Sequence, residues 1–567
     1  GKQQDIYKKI LYFSFGFIPM HLLVLLIYYA NGLIKIYLTT LISIPFSYTS
    51  TDTYFFYDIR VFIESLFNTS LFLAVVFLLL FFTSAAIAQT PAEIKGQVRH
   101  SIDELRDFVA IPNDANMPAD INRNITWLTE KFSDRGFNTA VLPTDGLPLF
   151  FAALPMDPAK KTLLFYMHLD GQPVAPELWD QENPYEVVLK KPVGDQWETT
   201  PFEELNEDIP MDWRLYGRST SDDKGPIVML LNSLDLLKKN KVVLPFNIKV
   251  VLDGEEEKSS KPLAKAVNTY KDLLEADYLI INDGPVHASG QPTIVYGCRG
   301  ITTLRVSTYG PIKPQHSGHY GNYAPNPAFE MAHLLSSLKS PDGKALVTGY
   351  YDGITLSESD RAVLKAVPDS AEYLKELLGI HQPDAVGEFY QHALQFPSLN
   401  VRGMSSGWVG DQARTIVPDK ATVEIDLRLV PETKGEHLQN LVEAHLKKQG
   451  YTIFSEEPSK ADRMAYPKVI RLEKGSVTPA FRTDLSLPFG GHLKSLLENN
   501  FNTEVVQIRI MGGTVPIAPF VNALKIPAYI LPMVNPDNNQ HSPNENLKIG
   551  QIEYGIKTFY SLLSSPF

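Results

Sequence analysis

A single cysteine, Cys298, is the only thiol in 567 residues. The fold therefore cannot rest on an intramolecular disulfide, and no cysteine-rich zinc site can be built from this chain. Positive charge is scarce as well. Lys and Arg number 52 against 64 Asp and Glu, a formal net charge of −12, which leaves no basic face for nucleic acid. Internal repeats and low-complexity tracts are lacking too, so solenoids and disordered tails are excluded as the main architecture. What remains has a soluble globular composition, with 44% hydrophobic and 20% charged residues, on a chain too long for one core. Any metal must be held by His and carboxylates.

Charge is also missing near the N-terminus. Between Leu11 and Ser50 the one formally charged side chain is Lys35, and from Ser65 to Ala88 there is none. The apolar run Leu71 to Phe82 ends in Thr83-Ser84-Ala85-Ala86-Ile87-Ala88, the small-residue pattern that closes a secretory signal. Residues 1–88 are expected to be an apolar extension plus signal peptide, with cleavage near Ala88 and an exported mature protein. The alternative is a membrane anchor around Leu11 to Ala30, near the ~20 residues needed to span a bilayer.

From Gln89 onward, short apolar runs alternate with amphipathic segments, as in an α/β sheet. Leu163 to Met167, Phe246 to Leu252, Tyr278 to Ile281 and Ala528 to Val534 read as buried strands, and Ile227 to Leu237 as a helix with a wide apolar face. A separate unit runs from about 297 to 460. It holds a strand at Ile301 to Ser307, a helix at Asn326 to Leu338, strands near Leu399 to Gly403 and Ala421 to Val430, a helix at Lys434 to Lys448 and a short last strand at Tyr451 to Phe454. That order predicts a small α+β, ferredoxin-like sandwich inserted between catalytic segments 89–296 and 461–567. The fold class is thus α/β, with a mostly parallel central sheet flanked by helices.

Several of these strands run directly into acids or histidines, at the edge where open α/β sheets hold ligands. His168-Leu169-Asp170 follows the first. Spaced two apart, their side chains share a face, so Asp170 can orient the His168 ring. Gly217-Arg218-Ser219-Thr220-Ser221-Asp222-Asp223-Lys224-Gly225 precedes the helix; Asp222 is a candidate bridging ligand, and Asp223 a candidate helix cap. Asp253-Gly254-Glu255-Glu256-Glu257 follows the second strand, Asp283 ends the third, and His541 lies in the polar loop Asn535 to Glu545. Each has an ordinary explanation alone, such as a satisfied core His, a turn Asp or a solvated acid run. Together, two His and three carboxylates form the nitrogen and oxygen donor set of a two-metal hydrolase, with one acid left as base.

The order H-x-D, G-R-x-x-x-D-D-K-G, E-E, a strand-terminal Asp and H-S-x-N-E resembles the M20 family of metallopeptidases, most closely its carnosinase-like dipeptidases, over nearly all of Gln89 to Phe567. The resemblance implies a catalytic domain with an inserted lid or dimerisation domain, and two divalent ions, Zn2+ first with Mn2+ or Co2+ as alternatives. His168 and Asp283 would hold one, Glu257 and His541 the other, and Asp222 would bridge them. Glu256 would be the general base, and Asp170 would stand behind the ligands as the acid that orients His168. His316, in His316-Ser317-Gly318, looks like the family histidine that reaches a neighbouring subunit's site. Arg428 resembles the arginine that grips a substrate carboxylate, with Thr415 and the loop Gly512-Gly513-Thr514 as further contacts. Three positions depart from the pattern: Ser219 stands for a Gly, Gly513 for a Ser and Pro285 for an aromatic. A Ser at 219 must avoid positive φ or accept strain.

The expected reaction is hydrolysis of the amide bond of a dipeptide or short peptide bearing a free C-terminal carboxylate. The same constellation would serve an N-acyl-amino-acid deacylase, and a non-catalytic peptide-binding module is the remote alternative. Gly403-Met404-Ser405-Ser406-Gly407 fits the G-x-S-x-G nucleophile elbow, but Trp408 to Gln412 shows no helical face to follow it.

Overall fold

The computed structural model describes residues 91–205, 209–515 and 517–567. The expected signal, its cleavage point and the alternative anchor lie outside them. Among the described residues, no helix is long and apolar enough to cross a membrane.

The central sheet is built on continuous apolar runs. Thr162–His168 and Asn247–Asp253 are buried along their whole length because both faces of the sheet are covered. Leu163, Phe165, Met167, Ile248, Val250 and Leu252 pack into one core, while Leu164, Tyr166, Val251, Leu279 and Ile281 pack into a second on the opposite face. Each such side chain contributes about 1.5–3 kcal/mol when fully buried. Among the described residues the sheet has eight strands, in the spatial order Asn138–Leu142, Leu149–Ala153, Asn247–Asp253, Thr162–His168, Tyr278–Ile281, Ala528–Ile530, Thr293–Val295, Val506–Ile508. The four central members run parallel.

Helix Lys224–Lys239 lies in the first core. Pro226 stands in its first turn, Lys238 and Lys239 close it, and almost every residue between is buried. It packs against Pro91–Val109 and Ile549–Ser564. The second crossing is tight: a Cβ at Gly555 would stand 2.2 Å from Met229 Sδ, so even Ala there would displace the buried Met229 side chain.

The inserted domain has the sheet order Ser398–Ser405, Lys420–Leu429, Gly300–Tyr309, Val469–Thr478, Thr452–Phe454. Helices Pro327–Leu338 and Gly435–Lys448 cover one face and share its core. Asn326 caps the first, its side chain accepting from Ala328 N at 2.9 Å. The ferredoxin-like order holds, with one correction. Thr452–Phe454 is not the closing strand but a short parallel edge, and Val469–Thr478 closes the fold against Gly300–Tyr309. The sheet therefore continues past residue 460, a boundary the sequence masks because Arg471, Glu473 and Lys474 interrupt the apolar pattern of that strand.

Gly403 to Gly407 finishes the strand Ser398–Ser405 and leads to a single 3-10 turn at Gly410–Gln412. No helix follows Ser405, so no nucleophile elbow forms there.

Candidate metal centre

Parallel pairing brings the strand ends together. His168 lies opposite Asp253 in register, and Asp283 follows Ile281 on the neighbouring strand by two residues. The 3-10 turn Glu256–Lys258 comes directly after Asp253, and Asp222 sits just before helix Lys224–Lys239. His541 arrives from the loop that precedes strand Asn546–Lys548.

Asp222 stands between the two imidazoles. Its Oδ1 is 2.8 Å from His168 Nε2 and its Oδ2 is 3.1 Å from His541 Nε2. His541 Nε2 is also 3.2 Å from Glu257 Oε2. Two three-residue groups result, His168–Asp222–Asp283 and Asp222–Glu257–His541, each with its ligand atoms within 4.8 Å of one another. Asp222 belongs to both.

Apart from the two histidines, no Lys or Arg among the described residues is ion-paired with Asp222, Glu256, Glu257 or Asp283. Burial, then Asp222, pushes Asp283 up to about 6; burial and Asp222 likewise push Glu257 up to about 7. Glu256 is raised well above the ordinary carboxylate range by burial, which outweighs the opposing charge of His168, with Asp283, Glu257 and Asp222 adding to the rise. Burial disfavours the charged form of Asp222, but hydrogen bonds to both histidines outweigh it and hold its carboxyl far below the usual range. Burial likewise opposes protonation of His168, yet its bonds to Asp170 and Asp222 raise it well above the ordinary imidazole value. Carboxylates this close cannot all ionise without compensation, and a divalent cation provides it. The donor set of imidazole nitrogen and carboxylate oxygen suits such an ion.

Residues 164–565 match peptidase family M20/M25/M40. The chain belongs to that family. It is 27% identical over 422 residues to a Cys-Gly metallodipeptidase of Schizosaccharomyces pombe, spanning 73% of this chain and 81% of that protein. It is 28% identical over 418 residues to the human Beta-Ala-His dipeptidase, spanning 73% and 76%. A solved M20 family metallo-carboxypeptidase from Sulfolobus solfataricus superposes with a TM-score of 0.65 at 28% identity, covering 82% of this chain and 98% of that one. The chain is thus an M20 metallopeptidase whose cofactor is divalent metal.

In this M20 peptidase the surrounding residues hold the ligands by backbone as much as by side chain. His168 Nδ1 lies 3.1 Å from the Asp170 carbonyl and 3.4 Å from its carboxylate. The Asp170 carboxylate instead accepts from the backbone N–H groups of Glu256 and Glu257, at 3.0 and 3.1 Å, and so aims both glutamates. Asp223 does not cap the helix; its Oδ2 accepts from His168 N at 3.2 Å. Gln172 Nε2 donates to Glu257 Oε2 at 2.8 Å.

Glu545, the last residue of the H-S-x-N-E motif and one whose role the motif does not reveal, is fully buried and orders the Asp222 loop. Its carboxylate accepts from Arg218 Nη1 at 2.7 Å and from the backbone N–H groups of Ser219, Ser221 and Asp222. Ser219 takes φ 63°, the left-handed region its Gly counterpart would favour. The strain, about 1–2 kcal/mol, is offset by the bond to Glu545 and by Asn113 Nδ2, which donates to Ser219 Oγ at 3.0 Å. A Cβ at Gly171 would stand 2.3 Å from that Oγ, so the glycine after Asp170 is fixed by contact. Asn113 carries no motif signal; only the fold reveals it.

The remaining residues divide into two groups. Arg428 Nη1 donates to Thr514 Oγ1 at 2.8 Å, joining the inserted domain to the Gly512–Thr514 loop. His316 and Thr415 lie on the inserted domain, both exposed, on neighbouring segments where Ser317 N donates to the Thr415 carbonyl at 3.2 Å. The His316 Nδ1 accepts from Gly318 N at 3.0 Å. Among the described residues neither shares a hydrogen bond or ion pair with the five candidate ligands.

Proposed function

We propose that this M20 metallopeptidase hydrolyses the amide bond of dipeptides or short peptides with a free C-terminal carboxylate, using two divalent cations, Zn2+ in the first instance. The observation that carries the reading is Asp222, shared by two adjacent donor groups, together with the names of the relatives, two of them dipeptidases.

Bound cations would supply the positive charge that makes water acidic near neutral pH and polarises the scissile carbonyl. Glu256 carries no hydrogen bond on its carboxylate among the described residues, and burial gives it a high proton affinity. It is therefore suited to take a proton from the attacking water and return it to the leaving amine. Asp170 keeps Glu256 in place through the backbone. Arg428 binds the substrate carboxylate by a charge-assisted hydrogen bond, with Thr415, Gly512, Gly513 and Thr514 as further substrate contacts. His316, exposed on the inserted domain, serves the oxyanion of a second copy in a homodimer formed through that domain. Export after cleavage near Ala88 completes the reading.

A chelator-controlled screen over dipeptides and N-acyl amino acids tests it. Chelator-sensitive turnover of dipeptides is expected, whereas preference for N-acyl amino acids would assign the chain to the deacylases. Turnover that survives metal removal would overturn the mechanism. Sedimentation measurements test the dimer, and N-terminal sequencing of the mature protein tests the cleavage.

A further inference from the structure

Next to the Arg428–Thr514 contact lies a second arginine with no acid to pair with. Arg299 is 7% exposed. Its Nη2 donates to the Phe396 carbonyl at 2.7 Å, while its Nε has no hydrogen-bond partner. Among the described residues no carboxylate lies within ion-pair distance of it. Asp426, whose charge it feels, accepts from Asn400 Nδ2 at 2.9 Å instead. Burial, then the like charge of Arg428, pulls the guanidinium down to about 10. A buried cation normally has its counter-charge beside it, and here none is built in.

Arg299 forms one wall of a cavity of about 350 Å3. Leu374, Leu378, Ile380, Phe389 and Phe396 line others. Helix Ala371–Leu378, which carries the first two, buries none of its residues, and Leu378 and Ile380 are 63% and 40% exposed. The cavity thus opens to water across an apolar rim and contains the guanidinium in a buried wall. None of the five metal-site residues lines it. Apolar walls with one uncompensated cation are complementary to a ligand with an apolar chain and a single anionic head. At about 30 Å3 per non-hydrogen atom, the share of a water molecule in the liquid, the space accommodates roughly a dozen such atoms.

We propose that this cavity binds an amphipathic monocarboxylate of about eight carbons, its carboxylate on Arg299 and its chain against Leu374, Leu378 and Phe389. A second copy of the chain is a poorer occupant. A flat apolar surface would cover Leu378 and Ile380 but leave the buried guanidinium without its anion.

Calorimetric titration of sodium octanoate into the metal-loaded full chain tests this. Saturable one-site binding is expected, with 1-octanol at least about tenfold weaker because it lacks the charge-assisted bond. Arg299→Gln should reduce octanoate to the level of octanol. Because Arg299 is itself buried, a second variant is needed: Leu374→Trp fills the cavity from a solvent-facing helix and should abolish binding of both ligands with Tm unchanged. No saturable heat, equal affinity for octanoate and octanol in the wild type, or undiminished binding by Leu374→Trp would each overturn the proposal. So would octanoate that acts only by dissociating a dimer in sedimentation velocity, which would assign the rim to a second copy.

Discussion

Glu545 accepts from the backbone N–H of Asp222 at 3.0 Å across 323 positions of sequence. The same carboxylate is ion-paired with Arg218, and both side chains are buried. The position of Asp222, the residue common to both donor groups, is therefore set by a residue near the other end of the catalytic domain.

Replacing Glu545 with Ala should cost about 3–5 kcal/mol, because it strands the buried Arg218 charge. It should also weaken metal binding by about 10–100-fold through misplacement of Asp222. Denaturant unfolding and metal titration read the two effects. A variant with wild-type stability and metal affinity would remove Glu545 from the account.

Asp222→Asn should affect both metal positions together, since both donor groups use Asp222. Metal analysis of the purified variant should show both sites depleted, where His541→Ala should chiefly deplete one. Loss of a single equivalent in Asp222→Asn would contradict the bridging role.

Glu256→Gln removes the proposed proton carrier and leaves the five candidate ligands in place. Turnover should fall by about 10²–10⁴-fold with metal content unchanged. Near-normal activity in a folded, metal-replete variant would transfer the role of base to another group.

Metal-free protein should lose stability as pH rises from about 5 to about 8. Asp283 and Asp253 titrate at about 6 and Glu257 at about 7 when buried without cations, above the unfolded values near 4. Between those limits the folded chain holds more protons than the unfolded one, so stability falls with increasing pH. His168 and His541, both raised from the ordinary imidazole value, act in the same direction above about 6.5. Asp222, held far below the usual carboxylate range, acts oppositely but only below about pH 4. Cations displace these protons, so the rise in Tm on adding metal should grow with pH. Calorimetric scans of chelated and metal-loaded protein at about pH 5.5 and 8 check both trends; a chelated protein that is more stable at the higher pH would refute the first.

Much of this protein was legible along the chain because strand ends and ligands coincide. The apolar runs before His168, Asp253 and Asp283 announce buried parallel strands, and parallel pairing obliges their C-terminal ends to share one edge. The helix at Lys224–Lys239 was legible for the same reason, since it is apolar on nearly all sides. The edge strand Asn138–Leu142 and the penultimate strand of the inserted sheet, Val469–Thr478, were not. Asn138–Leu142 alternates weakly and is half exposed, and Val469–Thr478 carries charges on its open face, so neither shows a clear period.

The sequence by itself determined the donor chemistry, because residue types in order specify which side chains can bind cations. It also determined the fold class, through the apolar periodicity that burial demands. Only the tertiary structure decided that Asp222 lies between His168 and His541, that Asp170 aims Glu256 through its backbone, and that Glu545, Asn113 and Gly171 brace the loop holding Asp222. Those relations depend on contacts between segments well separated along the chain, from 54 positions for His168 and Asp222 to 323 for Asp222 and Glu545, and such contacts leave no local pattern to read.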